Sequence, residues 1–481
     1  MRTDPFNRRV LLVLAGIGLL GLVLHGFNIW RVTRFGATVG TDYHIGPDTP
    51  SYSRMAQAIR DGGRQDPMYQ ERMLVPLILA GLRAAGLEDA LFPWVVALLV
   101  VPTTVAVGWM GWLLGARARA AYVSALLFVM YPTAYQYGVL VETDTLHLYL
   151  AVMALACTIN GMKTGSRATL ATAACLWPLA HLVRPSLWGL MLFLPFFLWK
   201  RLADRKTRNY ALAACAGIAF VPLLFSALNL ARFGIISPSL HQAEILHVWT
   251  CSRVGAFIET RKTGEPMSPL FNRAVSRARK DPRWPVIHGA FDRPEEFRDA
   301  YTSLLEDSRN YLRLHRKEMF HTTWSELRHQ LTASWSYYNR YNAPSLDILY
   351  PDVHKILHIV FQLAGVFSVF GLCFVFAGKN RDVVLFVLLG FVLMFIPSSL
   401  SCWAGARMRM VMDAMLIPFV VAAASLPLSW KVVGALLVGA YLPRRWGASH
   451  GYYRTVSAML VLTGGFLSFR LGKKEGKGKV E

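Results

Sequence analysis

The sequence predicts an all-α polytopic membrane protein of about twelve spans, with an interfacial helical first external loop and a mainly helical external domain. Three observations lead there. The 481 residues are 54% hydrophobic and only 17% charged, well away from the balance of a soluble domain. Long runs without Asp, Glu, Lys or Arg recur, among them 10–27 and 91–114, and each matches the roughly 20 residues a helix needs to cross the hydrocarbon core. Basic residues gather at every second junction between such runs. They are Arg2, Arg8 and Arg9, Arg117 and Arg119, Lys163 and Arg167, the cluster Lys200 to Arg208, Lys379 and Arg381, Lys431, and the tail Lys473 to Lys479. By the positive-inside rule those junctions are cytoplasmic and both termini lie inside. The net charge of +22 is thereby a topology signal and calls for no nucleic acid.

Taken in order, the expected spans are 10–27, 91–114, 121–138, 139–160, 168–183, 187–199, 210–231, 356–377, 383–397, 410–428, 432–442 and 456–469. The first lacks a small-residue cleavage site and reads as a retained span rather than a removed signal peptide. Residues 1–231 form an N-terminal transmembrane module that includes the first external loop, 28–90. Within that loop Ser51 to Arg60 and Met73 to Ala85 are the helical stretches, and Met73, Leu74, Leu77, Ile78, Leu79 and Leu82 give the second an apolar face suited to the membrane interface. Residues 232–355 are a large external loop domain. It has no run long enough to cross and a near balance of 18 basic and 14 acidic side chains, and Pro294 to Gln330 reads as helix. Residues 356–481 hold the C-terminal transmembrane helices and a basic cytoplasmic tail. Of the cysteines, Cys157, Cys175, Cys215 and Cys373 fall inside apolar runs, so there is no disulfide framework and no Cys-x-x-Cys motif.

Ionisable residues at membrane depth are costly, which makes each of them a candidate for function. The candidates are Asp42 and Asp48 in the first loop, Arg72, the pair Glu142 and Asp144, Arg184, and the group Arg407, Arg409 and Asp413, all on the outer side of this topology. Each has a bland alternative. Asp48 before Thr49-Pro50 suits a helix N-cap, Glu142 and Asp144 suit a structural ion pair with a nearby Arg, and Arg184 could snorkel to an interface. Arg407 and Arg409 run against the positive-inside trend, which favours an anionic ligand for them. His44, His147 and His181 have no helical partner at ligand spacing, so no metal site is expected from them.

These residues occur in an order that resembles a known family. Asp48-x-x-x-Tyr52-x-x-x-Ala56 followed by Glu71-Arg72-Met-Leu-Val-Pro76 resembles the first-loop signature of the glycosyltransferase C superfold. The type is that of the protein mannosyltransferases and lipid A aminoarabinose transferases, which use polyprenyl-phosphate sugars. Tyr131-Pro132, Thr143-Asp144-Thr145-Leu146, Leu182-Val-Arg184-Pro185 and Arg407-Met-Arg409-Met-Val-Met-Asp413 are similar to later elements of that family. Thr49 stands where the family often has Glu beside the catalytic Asp, and Asp144 where it has Glu.

The resemblance implies a membrane glycosyltransferase that moves a sugar, with inversion, from a polyprenyl-phosphate donor such as an undecaprenyl phosphate to a hydroxyl or phosphate of a lipid, polysaccharide or protein acceptor. The reaction would take place at the outer, periplasmic face of a bacterial inner membrane. It implies Asp48 as the base, with Asp42 as the fallback, and Arg407 and Arg409 as clamps on the lipid phosphate. Tyr52, Arg72, Glu142, Asp144 and Arg184 would bind substrate, the two arginines either touching phosphate or pairing with Asp144. No cofactor is required by this chemistry, and a divalent metal is left open. The alternatives are an O-antigen ligase or polymerase, which would not need the Asp-x-x-x-Tyr segment, and a lipid or solute transporter, in which internal repeats are expected.

Overall fold

The computed structural model describes residues 8–39, 48–63, 72–115, 117–184, 208–289, 293–332 and 406–424, together with short pieces between 368 and 388. Among these residues the chain is almost wholly helical and has no strands. Four helices are long and apolar enough to cross a membrane, Arg8–Gly36, Asp89–Gly115, Thr143–Thr164 and Arg208–Phe233. They coincide with expected spans at 10–27, 91–114, 139–160 and 210–231. The expected spans at 187–199, 432–442 and 456–469, and most of those at 356–377 and 383–397, lie outside the described residues.

Helix α1 (Arg8–Val39) is 32 residues, so it rises about 48 Å and continues well beyond the apolar run. Leu12, Leu19, Leu20 and Val23 on its outer side are exposed, while Ile29 and Val32 near its far end are buried in the main core. A surface row of exposed leucines of this kind is compatible with a membrane protein. The helix continues through the first part of the segment 28–90, where Asn28, Ile29 and Val32 are buried.

Helix α2 (Thr49–Arg60) starts with Pro in its first turn, where the missing N–H costs nothing. Tyr52, Met55 and Ala56 make its buried stripe, and it packs against α3 (Leu74–Ala84). Arg83 on α3 donates from Nε and Nη2 to both carboxylate oxygens of Asp89 at 2.8 and 2.5 Å, and from Nη1 to the Ser53 carbonyl at 2.9 Å, fastening the two helices to the next element. On α3 Val75 and Leu79 are fully buried, Leu74, Ile78 and Leu82 are partly buried against the core, and Leu77 is exposed.

A 3-10 turn (Asp89–Leu91), α4 (Phe92–Ala97) and α5 (Val100–Gly115) form the next long apolar element. The expected span 121–138 is broken into α6 (Ala118–Val129) and α7 (Pro132–Tyr137), because Pro132 cannot continue a helix but can open one. Helix α8 (Thr143–Thr164) is the hub. Nearly all of it is buried, and α5, α7, α9 (Arg167–Val183) and a late helix, Ala406–Ala424, pack around it. It stops at Gly165, whose φ of 68° is the left-handed cap that favours glycine.

Helix α10 (Arg208–Phe233) packs on α9 and leads into the helical domain that follows. There α11 (Gln242–Glu244) runs into a π-helix (Ile245–Cys251), then α12 (Ser252–Thr263), α13 (Met267–Ala278), α14 (Arg283–Gly289), α15 (Pro294–Leu314) and α16 (Arg316–Thr332). The helix expected over Pro294 to Gln330 is two, parted at His315. Phe297, Ala300, Tyr301, Leu304 and Leu305 on α15 build a separate core with Phe233 at the end of α10, the Phe233 and Phe297 rings lying 4.4 Å apart. The domain is thereby rooted on a long apolar helix. Helix α17 (Ala406–Ala424) completes the described fold.

Helices of the main bundle approach closely at small residues, as membrane helices do. A β-carbon at Gly217 on α10 would run into the backbone carbonyl of Ala174 on α9, whereas one at Gly16 on α1 would meet nothing within 4 Å. Gly217→Ala is expected to lower the thermal midpoint of unfolding in detergent, at a cost of about 1–3 kcal/mol. Gly16→Ala should leave the midpoint where it is. Equal midpoints for the two variants would mean that α9 and α10 do not pack at this distance.

Candidate functional site

Of the ionisable residues singled out in the sequence, Asp48, Glu142, Asp144, Arg72 and Arg184 lie around the N-terminal end of α8. Asp48 precedes α2 as its cap residue, but with φ −91° and ψ −14° it is already helical, and its side chain makes no capping bond. The carboxylate instead faces Arg72, with Oδ2 3.8 Å from Nη1. The same Nη1 donates to the Tyr52 hydroxyl at 3.5 Å. Two long-range hydrogen bonds hold the start of α2 in place. The Asp48 backbone N–H donates to Glu142 Oε1 at 3.3 Å, and Thr49 Oγ1 donates to the Val141 carbonyl at 2.9 Å. Asp48 is thus fixed through its backbone while its carboxylate, 29% exposed, stays accessible beside an arginine that is 13% exposed.

Tyr52 is fully buried beneath this pair. Burial pushes its hydroxyl pKa up, the Arg72 charge works against that and the Asp48 charge adds to it, so the group stays a neutral phenol. The external domain also reaches this place. Burial pushes the Glu244 carboxyl up, but His241 at 2.9 Å, His288 and the Arg72 charge outweigh it and hold Glu244 down at about 2. Glu244 is therefore a carboxylate at any physiological pH, within electrostatic reach of Arg72. Nothing in the sequence pointed to Glu244 or His241. The only local sign is an acidic residue in an otherwise apolar stretch, Ala243-Glu244-Ile245-Leu246.

On the other side of the α8 terminus the bland alternative for Asp144 is the observed one. Its carboxylate pairs with the Arg184 guanidinium at the end of α9, and with side chains 1% and 8% exposed the pair is closed to solvent. One turn further on, His147 Nδ1–H donates to the Ala180 carbonyl at 3.2 Å, adding a second tie between α8 and α9. Arg184 consequently neither snorkels nor points at the Asp48–Arg72 pair.

Asp413 on α17 is fully buried and accepts a hydrogen bond from the Tyr131 hydroxyl at 3.1 Å, which brings the residue just before α7 against the late helix. Arg407 and Arg409 occupy the first turn of that helix, a position where the backbone dipole is already positive. Asp42 lies outside the described residues. No cluster of His, Cys, Asp or Glu disposed to hold a metal ion occurs among the described residues.

The sealed pair and the open pair make different demands. Removing one member of a buried ion pair leaves an uncompensated charge and costs about 3–5 kcal/mol, whereas replacing both with apolar groups is close to neutral. Arg184→Gln is expected to lower the thermal midpoint strongly, and the double change Arg184→Met with Asp144→Leu to recover most of it. An Arg184→Gln protein as stable as the wild type would contradict the sealed pair.

No protein-family model matches this chain, and no curated protein matches it in sequence.

Proposed function

We propose that this chain is a polyprenyl-phosphate-dependent glycosyltransferase of the glycosyltransferase C type, with about twelve spans. Its site would face the periplasmic side of a bacterial inner membrane. The single observation that carries the proposal is the Asp48 carboxylate. It is released from helix capping, held at its backbone by Glu142, and set open to solvent beside Arg72. A carboxylate in that state is available as a general base.

In the proposed reaction Asp48 takes the proton of the acceptor hydroxyl. The freed oxygen forms a bond to the anomeric carbon from the face opposite the leaving group, and the bond from that carbon to the lipid phosphate oxygen breaks, which inverts the centre. The phosphate departs as an anion and needs no general acid. Negative charge growing on it calls for fixed cations. Arg407 and Arg409 are assigned that role, because guanidinium groups bind phosphate oxygens in a fork and both residues belong to the first turn of α17, where the helix dipole also favours an anion. Arg72 is placed to steer Asp48 and to meet the same charge. Asp144 and Arg184 act as a brace for the α8 terminus rather than as ligands, and Asp42 remains the fallback base.

The test is transfer of radiolabelled sugar from a panel of synthetic polyprenyl-phosphate sugars by purified protein in detergent, wild type beside Asp48→Asn. Turnover is expected to fall by about two to four orders of magnitude in the variant, with donor binding retained. Absence of both turnover and donor binding with every donor would overturn the assignment in favour of a ligase, polymerase or transporter. Unchanged turnover in Asp48→Asn would return Asp48 to a structural role.

A further inference from the structure

The outward face of α13 carries a charge pattern that neither the topology nor the proposed reaction uses. Residues 266–280, Pro-Met-Ser-Pro-Leu-Phe-Asn-Arg-Ala-Val-Ser-Arg-Ala-Arg-Lys, hold Arg273, Arg277, Arg279 and Lys280 and no Asp or Glu. The helix buries Leu270 and Val275, and Phe271 lies 6.2 Å from the Trp249 ring of the π-helix, so one side is set against the domain. Arg279 is drawn over Trp249 at 5.3 Å. The opposite side presents Asn272, Arg273, Ser276, Arg277 and Lys280, which together line an open cleft of about 400 Å³. Residues 272, 276 and 280, and 273 and 277, follow the four-residue spacing that stacks side chains along one helix face.

Like charges at that spacing repel by roughly 0.2–0.5 kcal/mol per pair. The negative C-terminal end of the helix offsets this for Arg277 and Lys280 but not for Arg273, which lies a turn earlier. Arg273 pairs with Glu265 at 2.5 Å, and both side chains are half exposed, so the pair contributes little. Among the described residues no carboxylate pairs with Arg277 or Lys280, although α15 in the same domain carries Glu295, Glu296, Asp299, Glu306 and Asp307. The cleft is therefore lined by two guanidinium groups and an ammonium, with an amide and a hydroxyl between them. With Arg273 held by Glu265, Arg277 and Lys280, which pair with no carboxylate among the described residues, present guanidinium and ammonium donors that suit the oxygens of a phosphate.

We propose that the Asn272–Lys280 cleft is a second anion site that takes a phosphate group, borne either by a membrane lipid head group or by a molecule outside the bilayer. The cleft does not depend on the transferase assignment. Helix α13 packs on α12 and on the π-helix that directly follows Glu244.

The test uses the full-length protein in phosphatidylcholine nanodiscs, titrated calorimetrically with inorganic pyrophosphate. The proteins compared are the wild type, the double variant Arg277→Gln with Lys280→Gln, the single variant Ser276→Glu, and a control, Arg298→Gln on α15. Binding at Arg72 is common to all four and cancels. The double variant and Ser276→Glu are each expected to bind at least about tenfold more weakly than the wild type and the control, in line with the loss of charge-assisted hydrogen bonds. All four should share one thermal midpoint, since the altered side chains are exposed. Repeating the titration in phosphatidylglycerol discs separates the sources. Weaker pyrophosphate binding by the wild type alone assigns the cleft to lipid head groups, and unchanged binding assigns it to a phosphate from outside the bilayer. No saturable binding by the wild type, or equal affinity in the double variant, would overturn the proposal.

Discussion

The join between α2 and the start of α8 is the constraint on which the rest of the site depends. Two hydrogen bonds make it, Asp48 N–H to Glu142 and Thr49 Oγ1 to the Val141 carbonyl, and both involve groups that helix ends leave without intrahelical partners. Each bond does two things at once. It satisfies polar groups that would otherwise be stranded beside an apolar bundle, where an unmet hydrogen bond costs about 1–3 kcal/mol, and it orients the first turn of α2. Tyr52, Arg72 and the Asp48 carboxylate take their places from that one attachment.

Around the same terminus the protein separates two kinds of charge. Asp144 and Arg184 are closed off from water and from each other's alternatives, so their geometry is a fixed feature of the α8–α9 contact. Asp48 and Arg72 are further apart and partly open, so water or a ligand can reach the carboxylate without breaking a buried pair. Solvent access, more than residue type, is what distinguishes the sealed pair from the accessible one, because the desolvation penalty that locks the first is largely absent in the second. Tyr131 and Asp413 extend the brace to the late helix α17, whose first turn holds Arg407 and Arg409.

The external domain belongs to the same electrostatic system. Its small core is anchored on Phe233 at the end of α10, and its first helical turn carries Glu244, a buried carboxylate kept ionised by His241, His288 and Arg72. Arg72 is thus shared between the first loop and the external domain. Further out, Arg283 ties α14 to α15 through Asp307 at 2.6 Å and Ser303 at 2.7 Å.

Local features of the chain were legible from the sequence because they depend on neighbours a few residues apart. The apolar runs, the helices opened by Pro50 and Pro294, and the candidacy of Asp48, Arg72, Asp144 and Arg184 are all of this kind. Even the break at Tyr131-Pro132, which divides an expected span, follows from the proline ring alone. Partner choice was not legible. Asp48 and Glu142 are 94 residues apart and Tyr131 and Asp413 are 282 apart, and no periodicity relates positions at such separations. Only the packed bundle decided that the Asp48 side chain leaves its own helix uncapped, that of the two arginines offered for Asp144 it is Arg184 that closes on it, and that Glu244 comes within reach of Arg72. A charge removed from water must find its complement wherever the fold brings one.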